Sequence, residues 1–145
     1  MADWVALAKR FDFDAWANSL WLECLDRKGM GDPDRSILAH NLSASETWIR
    51  RCNGEAPTAM VPVPLHKSEI ERMNREWRDI LAPGEDRVIR FRRLNGDEHE
   101  LPLSQIAEHA ANHGTYHRGE LRGLCRSRGD EDFPETDFLR FDLGL

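Results

Sequence analysis

The chain has no apolar run near the ~20 residues that a membrane-spanning helix needs. Its first ten residues carry Asp3 and Lys9 and lack the apolar block of a signal peptide, so a soluble, cytoplasmic protein with no membrane partner is expected. Cysteine is scarce. Cys24, Cys52 and Cys125 are scattered, form no C-x-x-C pair, and fit a reducing compartment better than a disulfide framework. Positive charge is outweighed, with a net charge of −6. That argues against a dedicated nucleic-acid binder, in which a basic patch normally dominates. Lysine is also rare, with three (Lys9, Lys28, Lys67) among 20 basic residues, an arginine bias typical of a GC-rich genome. There is no internal repeat and no low-complexity segment.

What remains is the composition of a folded domain. Of 145 residues, 40% are hydrophobic and 32% charged, with five Trp and six Phe, too aromatic for a disordered chain and too charged for a membrane protein. The length suits one domain over residues 1–145, large enough for a core without staples.

Periodicity predicts a mainly α fold. Phe13, Trp16, Ala17, Leu20 and Cys24 share one helical face within a helix over Phe11–Leu25, which ends at Arg27-Lys28-Gly29. A second helix is expected over Pro33–Arg51, with Asp32 as cap and Ile37, Leu38, Ala44, Trp48 and Ile49 as its apolar stripe. Pro57, Pro62 and Pro64 exclude a helix over Glu55–Leu65, which reads as a long crossover. A third helix is expected over Ser68–Leu81, with Ser68 and Glu71 as a capping box. A strand over Arg87–Leu94, an Asn95-Gly96 turn and a return strand over Glu98–Leu101 predict a small β-hairpin. A fourth helix should run from Pro102 to Ser127, and the apolar tail (Phe133, Phe138, Leu139, Phe141) should pack back on the bundle.

The fourth helix carries the chemistry. Its core stripe reads Leu103, Ile106, Ala110, His113, His117, Leu121, Leu124. Two imidazoles replace apolar residues at its centre, where unpartnered buried polar groups cost roughly 1–3 kcal/mol each. At i and i+4 they lie on one face and can both reach a divalent metal. Gly114 stands where a zinc peptidase of the H-E-x-x-H type needs glutamate, so that class is set aside. The alternative is a pair of core histidines hydrogen-bonded to carboxylates. A third ligand must come from His40, His66, His99 or His109. His66 and His99 fall in segments expected to be solvated. Spacing does not choose between His40 and His109, although metal sites between facing helices of a bundle favour His40.

Asn112-His113-Gly114-Thr115-Tyr116-His117-Arg118-Gly119-Glu120-Leu121 resembles the N-H-x-x-Y-H-R-G-Q motif of the DinB family, the DinB/YfiT-like metalloenzymes. Three further segments are similar to that family's pattern: Phe13-Asp14-Ala15-Trp16-Ala17-Asn18, Leu38-Ala39-His40 with Trp48 and Arg51 to Gly54, and Pro134 to Asp137. The resemblance implies a bacterial four-helix bundle with a long crossover. It implies a nickel or zinc ion held by His40, His113 and His117, a homodimer, and in some relatives thiol-dependent transferase or isomerase activity with a low-molecular-weight thiol. Glu120 departs from the family's Gln, and Phe13 stands where Tyr is frequent; neither is expected to touch a ligand. Glu120 adds a carboxylate that either bears on substrate choice or pairs with Arg118.

The leading expectation is therefore a metal-dependent enzyme, a thiol-dependent transferase or hydrolase acting on a small molecule. The alternative is a non-catalytic metal-binding, dimerising stress-response protein. Arg118, Arg122 and Arg126 are expected on a solvated face, favourable to the helix dipole. Arg87, Arg90, Arg92 and Arg93 are expected to protect a strand edge rather than to bind DNA. Tyr116, the only tyrosine, is either a proton donor beside a ligand or a packing residue.

Overall fold

In the computed structural model, which describes residues 1–145, helix α1 spans Trp4–Lys28, seven residues earlier than the periodicity placed its start. Asp3 caps it by accepting from the Ala6 amide at 3.0 Å. Of the expected stripe Phe13, Ala17 and Cys24 are buried while Trp16 and Leu20 stay half-buried, and Leu7, Phe11, Trp21, Leu22 and Leu25 add a second buried face. The tail covers Phe13 and Trp16. Phe138 and Phe141 of the short helix α5 (Phe138–Leu143) meet the Phe13 ring at 5.2 and 5.7 Å, and Phe141 lies 5.6 Å from Trp16.

Helix α2 spans Asp34–Cys52. The cap position is Pro33, not Asp32 as expected; Asp32, one residue earlier, accepts from the Ser36 amide at 3.1 Å and from its hydroxyl at 2.6 Å and so still satisfies the helix start. The residues buried on α2 include Leu38, Leu42, Ala44 and Ile49, whereas Ile37 and Trp48 are half-exposed. The proline segment is an irregular crossover. Helix α3 spans Lys67–Leu81, and its cap is His66, whose Nδ1 accepts from the Ser68 amide at 3.1 Å. The expected Ser68–Glu71 capping box is therefore replaced: Ser68 lies inside the helix because an imidazole already satisfies the first free amide.

Strands β1 (Val88–Arg92) and β2 (Glu98–Pro102) pair antiparallel with Ile89 opposite Leu101 and Phe91 opposite His99. The connection is wider than a two-residue hairpin: the Gly96 amide donates to Arg93 O at 2.9 Å, and Gly96 has a φ of 96°, which suits glycine. Three of the four hairpin arginines have partners within the fold, and Arg93 has no ion pair. Arg90 pairs with Glu100 at 3.1 Å, Arg92 pairs with Glu98, and Arg87 donates to Cys52 O at 2.7 Å.

Helix α4 spans Leu103–Ser127. The four long helices neighbour one another in the ring α1–α3–α2–α4, an order the crossover permits by carrying the chain from the end of α2 to the start of α3. The core at their centre includes the fully buried Trp21, Leu38, Trp77, Ile106 and Leu121. Phe11 stacks on Trp77 at 4.2 Å, and Trp77 Nε1 donates to Ser45 Oγ at 2.8 Å, which joins three helices at one point. No helix is long and apolar enough to cross a membrane. For the site, the consequence of this ring is that α2 lies directly against α4.

Candidate metal centre

Helix α4 supplies His113 and His117, and α2 supplies His40 from across the helix pair. The one-turn spacing on α4 puts the two Nε2 atoms 3.2 Å apart. The His40 ring lies 5.1 Å from that of His113 and 4.5 Å from that of His117. One donor atom from each of the three residues falls within 4.8 Å of the others. Two nitrogens at ~2.0–2.1 Å from a tetrahedral ion stand about 3.3 Å apart, so the α4 pair already has the spacing such an ion requires. The three imidazoles fit a divalent metal.

A tertiary contact fixes the height of α2 on α4 at this level. Asn41, next to His40 and buried, donates through Nδ2 to the Gly114 carbonyl at 3.2 Å. His109, the other candidate left open by spacing, is exposed and outside the group. Its ring lies 5.8 Å from His113 and turns edge-on to Trp48 at 5.4 Å. His66 and His99 are exposed, as expected.

Burial is the main force on the protonation of the site. It pushes the His113 imidazole down to about 4, and repulsion from His117, His40 and His109 adds to the effect. The His40 pKa is lowered by burial and then by His117, with Glu120 opposing. Both rings are thus neutral near pH 7, the form that offers a lone pair to a metal. Glu120 Oε1 sits 2.9 Å from His117 Nδ1. With the proton on Nδ1 directed to the carboxylate, Nε2 presents its lone pair toward His113. Glu120 therefore pairs with His117, not with Arg118. Tyr116 is 73% exposed, its ring 5.1 Å from that of His117, so it is no part of the core packing.

Arg118 is the correction on α4. It is 3% exposed, where a solvated face was expected, while Arg122 and Arg126 do face solvent. Its guanidinium pairs with Asp14 and donates to Asn18 Oδ1 at 2.8 Å and to Thr115 Oγ1 at 3.3 Å. Asn18 Nδ2 in turn donates to Asp14 Oδ2 at 3.3 Å. This network locks α1 to α4 directly behind the histidines. It also explains Gly114: a Cβ there would stand 2.2 Å from Asp14 Oδ1 and 3.0 Å from Arg118 Nη1. Periodicity missed Asp14, Asn18 and Asn41 as supports of the site. The available signal was a glycine inside a helix opposite polar residues of α1.

The sequence model of the DinB family matches residues 8–143, a span that holds the three histidines and the Asp14–Arg118 network. The chain belongs to the DinB family. No curated protein matches it. In this DinB protein a cleft of about 780 Å³ lies between the hairpin and the exit of α2, lined by Glu55, Phe91, Arg92 and His99 among others. The charged residues lining that cleft are paired with one another or with Arg50, and the convergence of three imidazoles is the stronger mark of a site.

Proposed function

We propose that His40, His113 and His117 hold a divalent metal, nickel or zinc, and that this DinB protein is a metal-dependent enzyme of the thiol-dependent transferase or hydrolase type acting on a small molecule. The observation that carries the reading is the convergence of three partly buried imidazoles from two helices, one donor from each within 4.8 Å. A divalent ion there would act as a Lewis acid and make a nucleophile of water or a thiol at neutral pH. No His, Cys, Asp or Glu forms a fourth member of the group, which supports a position left for substrate over a closed structural site. The chain's own part is to keep His40 and His113 neutral by burial and to orient His117 through Glu120.

The rival, a non-catalytic metal-binding, dimerising stress-response protein, draws its support from the 780 Å³ cleft being lined by hairpin residues rather than by the histidines. Metal analysis of the wild type beside His117→Ala tests the ligands, and equal content in both defeats the assignment. The absorption spectrum of cobalt-loaded protein then separates the two readings: a change on adding a small thiol supports the enzyme, and an unchanged spectrum supports the structural site. In the same reading the protein is one domain and works as a cytoplasmic homodimer. Buried free thiols at all three cysteines suit a reducing compartment. The exposed Leu139, Leu143 and Leu145 supply apolar surface for association, which sedimentation would measure.

A further inference from the structure

An aromatic strip leads away from the histidines. His109 lies 5.8 Å from His113, Trp48 lies 5.4 Å from His109, and Phe91 lies 5.0 Å from Trp48, ring to ring. Phe91 and its neighbour His99, 5.9 Å away, line the cleft of about 780 Å³ beside the hairpin. The strip is on the surface: His109 and His99 are exposed, and Trp48 and Phe91 are half-exposed.

The charge along this strip is unbalanced. Arg51 is 7% exposed, and its guanidinium lies 4.5 Å from the Trp48 ring centre and 5.6 Å from that of Phe91. Its one hydrogen bond is from Nη2 to Arg92 O at 3.2 Å, its Nε is buried without an acceptor, and no carboxylate is within ion-pair range. A buried cation normally has a paired anion. The acidic residues nearby are already engaged: Glu98 with Arg92, Glu100 with Arg90, Glu55 with Arg50 at 3.6 Å. Arg93, exposed and without an ion pair, adds its charge to the same place, and together with burial it lowers the Arg51 pKa.

Resting on the reading of His40, His113 and His117 as a metal centre, we infer that this DinB protein takes a small molecule with a flat aromatic or conjugated body, seated on Trp48 and His109, whose anionic substituent points toward Arg51 and Arg93. Trp48 and His109 stand at 76° to each other and Arg51 lies over the Trp48 ring, so a planar body stacks on one free ring face while the other ring meets its rim, and the guanidinium groups without an ion pair match an anion. The end of the molecule opposite the anion then lies over His113, where the reaction takes place. The strip accordingly selects the substrate, and the histidines act on it.

The probe is 2-naphthoate, followed by NMR through the Trp48 indole N–H, a signal assigned by its loss in Trp48→Leu. Two analogues dissect it: the neutral 2-naphthylmethanol and the saturated decahydro-2-naphthoate. Each is titrated into zinc-loaded and metal-free protein. The expected result is binding of 2-naphthoate in both forms, with each analogue at least about fivefold weaker. Trp48→Leu and the exposed-site variant His109→Ala lower naphthoate affinity by a similar factor, read by ligand signals, while Arg93→Gln reduces the preference for the carboxylate over the alcohol. Equal affinity in wild type and His109→Ala, equal binding of the saturated analogue, or no shift of the Trp48 signal at millimolar naphthoate overturns the inference. A carboxylate preference found only in zinc-loaded protein also overturns it, because the ion and not the arginines then holds the anion. Failure of the wild type to take up zinc would instead defeat the metal centre, and the metal-free titrations would still decide the strip.

Discussion

Glu120 and His117 are joined by a 2.9 Å contact between Oε1 and Nδ1, one turn apart on α4, and this contact sets which nitrogen of His117 faces the other histidines. Against expectation, the departure from the glutamine of the DinB motif thus touches a proposed metal ligand. Substitutions of such supporting carboxylates typically cost about 10–100-fold in metal affinity. Glu120→Ala should fall in that range, and Glu120→Gln should lose less, because an amide oxygen still accepts from Nδ1. Competition against a chromophoric chelator measures both; affinities unchanged in Glu120→Ala would show that His117 is oriented by packing alone.

Removing any one of the three imidazoles should abolish stoichiometric metal uptake. His40→Ala is the informative variant, since it tests the ring contributed by the neighbouring helix. His109→Ala should retain full metal content, because its ring stands outside the donor group. Elemental analysis with circular dichroism as a folding control makes the comparison, and loss of metal in His109→Ala alongside retention in His40→Ala would reverse the assignment.

Acid should weaken both the fold and metal retention over one window. The His113 pKa in the folded chain is about 4, below its ordinary value, so the unfolded state binds protons first as pH falls. The stability contributed by the neutral ring is therefore complete above about pH 6.5 and is lost progressively down to about pH 4. The loss should be on the order of 2 kcal/mol once the ring's partial exposure is allowed for. His40, shifted in the same direction, adds to it. Urea denaturation of metal-free protein at a series of pH values should show this slope, and His113→Gln should flatten it.

Two glycines of α4 should respond oppositely to alanine. Gly119 has open space around its missing Cβ, so Gly119→Ala should gain roughly 0.5–1 kcal/mol from helix propensity. Gly114→Ala places a methyl 2.2 Å from the Asp14 carboxylate and must separate it from Arg118. A net loss of about 2–4 kcal/mol is expected, since overpacking and a disturbed buried ion pair outweigh the propensity gain. Denaturant midpoints of the two variants read the contrast directly.

Arg118→Met should be more damaging still, by about 3–5 kcal/mol, because it leaves Asp14 largely buried without a cation. Adding Asp14→Leu to it should restore part of the loss. A double variant no more stable than Arg118→Met would mean that the pair serves the fold by geometry and not by charge compensation.

Local pattern in the sequence was enough to mark α2, α3, α4, the hairpin and the crossover, because their signals act within a few residues: apolar repeats of three and four, prolines, and Asn95-Gly96. The same repeats singled out His113 and His117 as two polar groups on an apolar face. Local pattern did not fix the start of α1, because Leu7 and Phe11 form a face only against α3, nor the cap of α3, where an imidazole took the place expected of Ser68. The burial of Arg118 was equally out of reach, since the partners that neutralise it, Asp14 and Asn18, lie about a hundred positions away. The choice of His40 over His109 was decided by which helices touch. Spacing along one helix fixes only neighbours on that helix, whereas the packing of α2 against α4 brings the third ring to the other two and leaves His109 facing solvent.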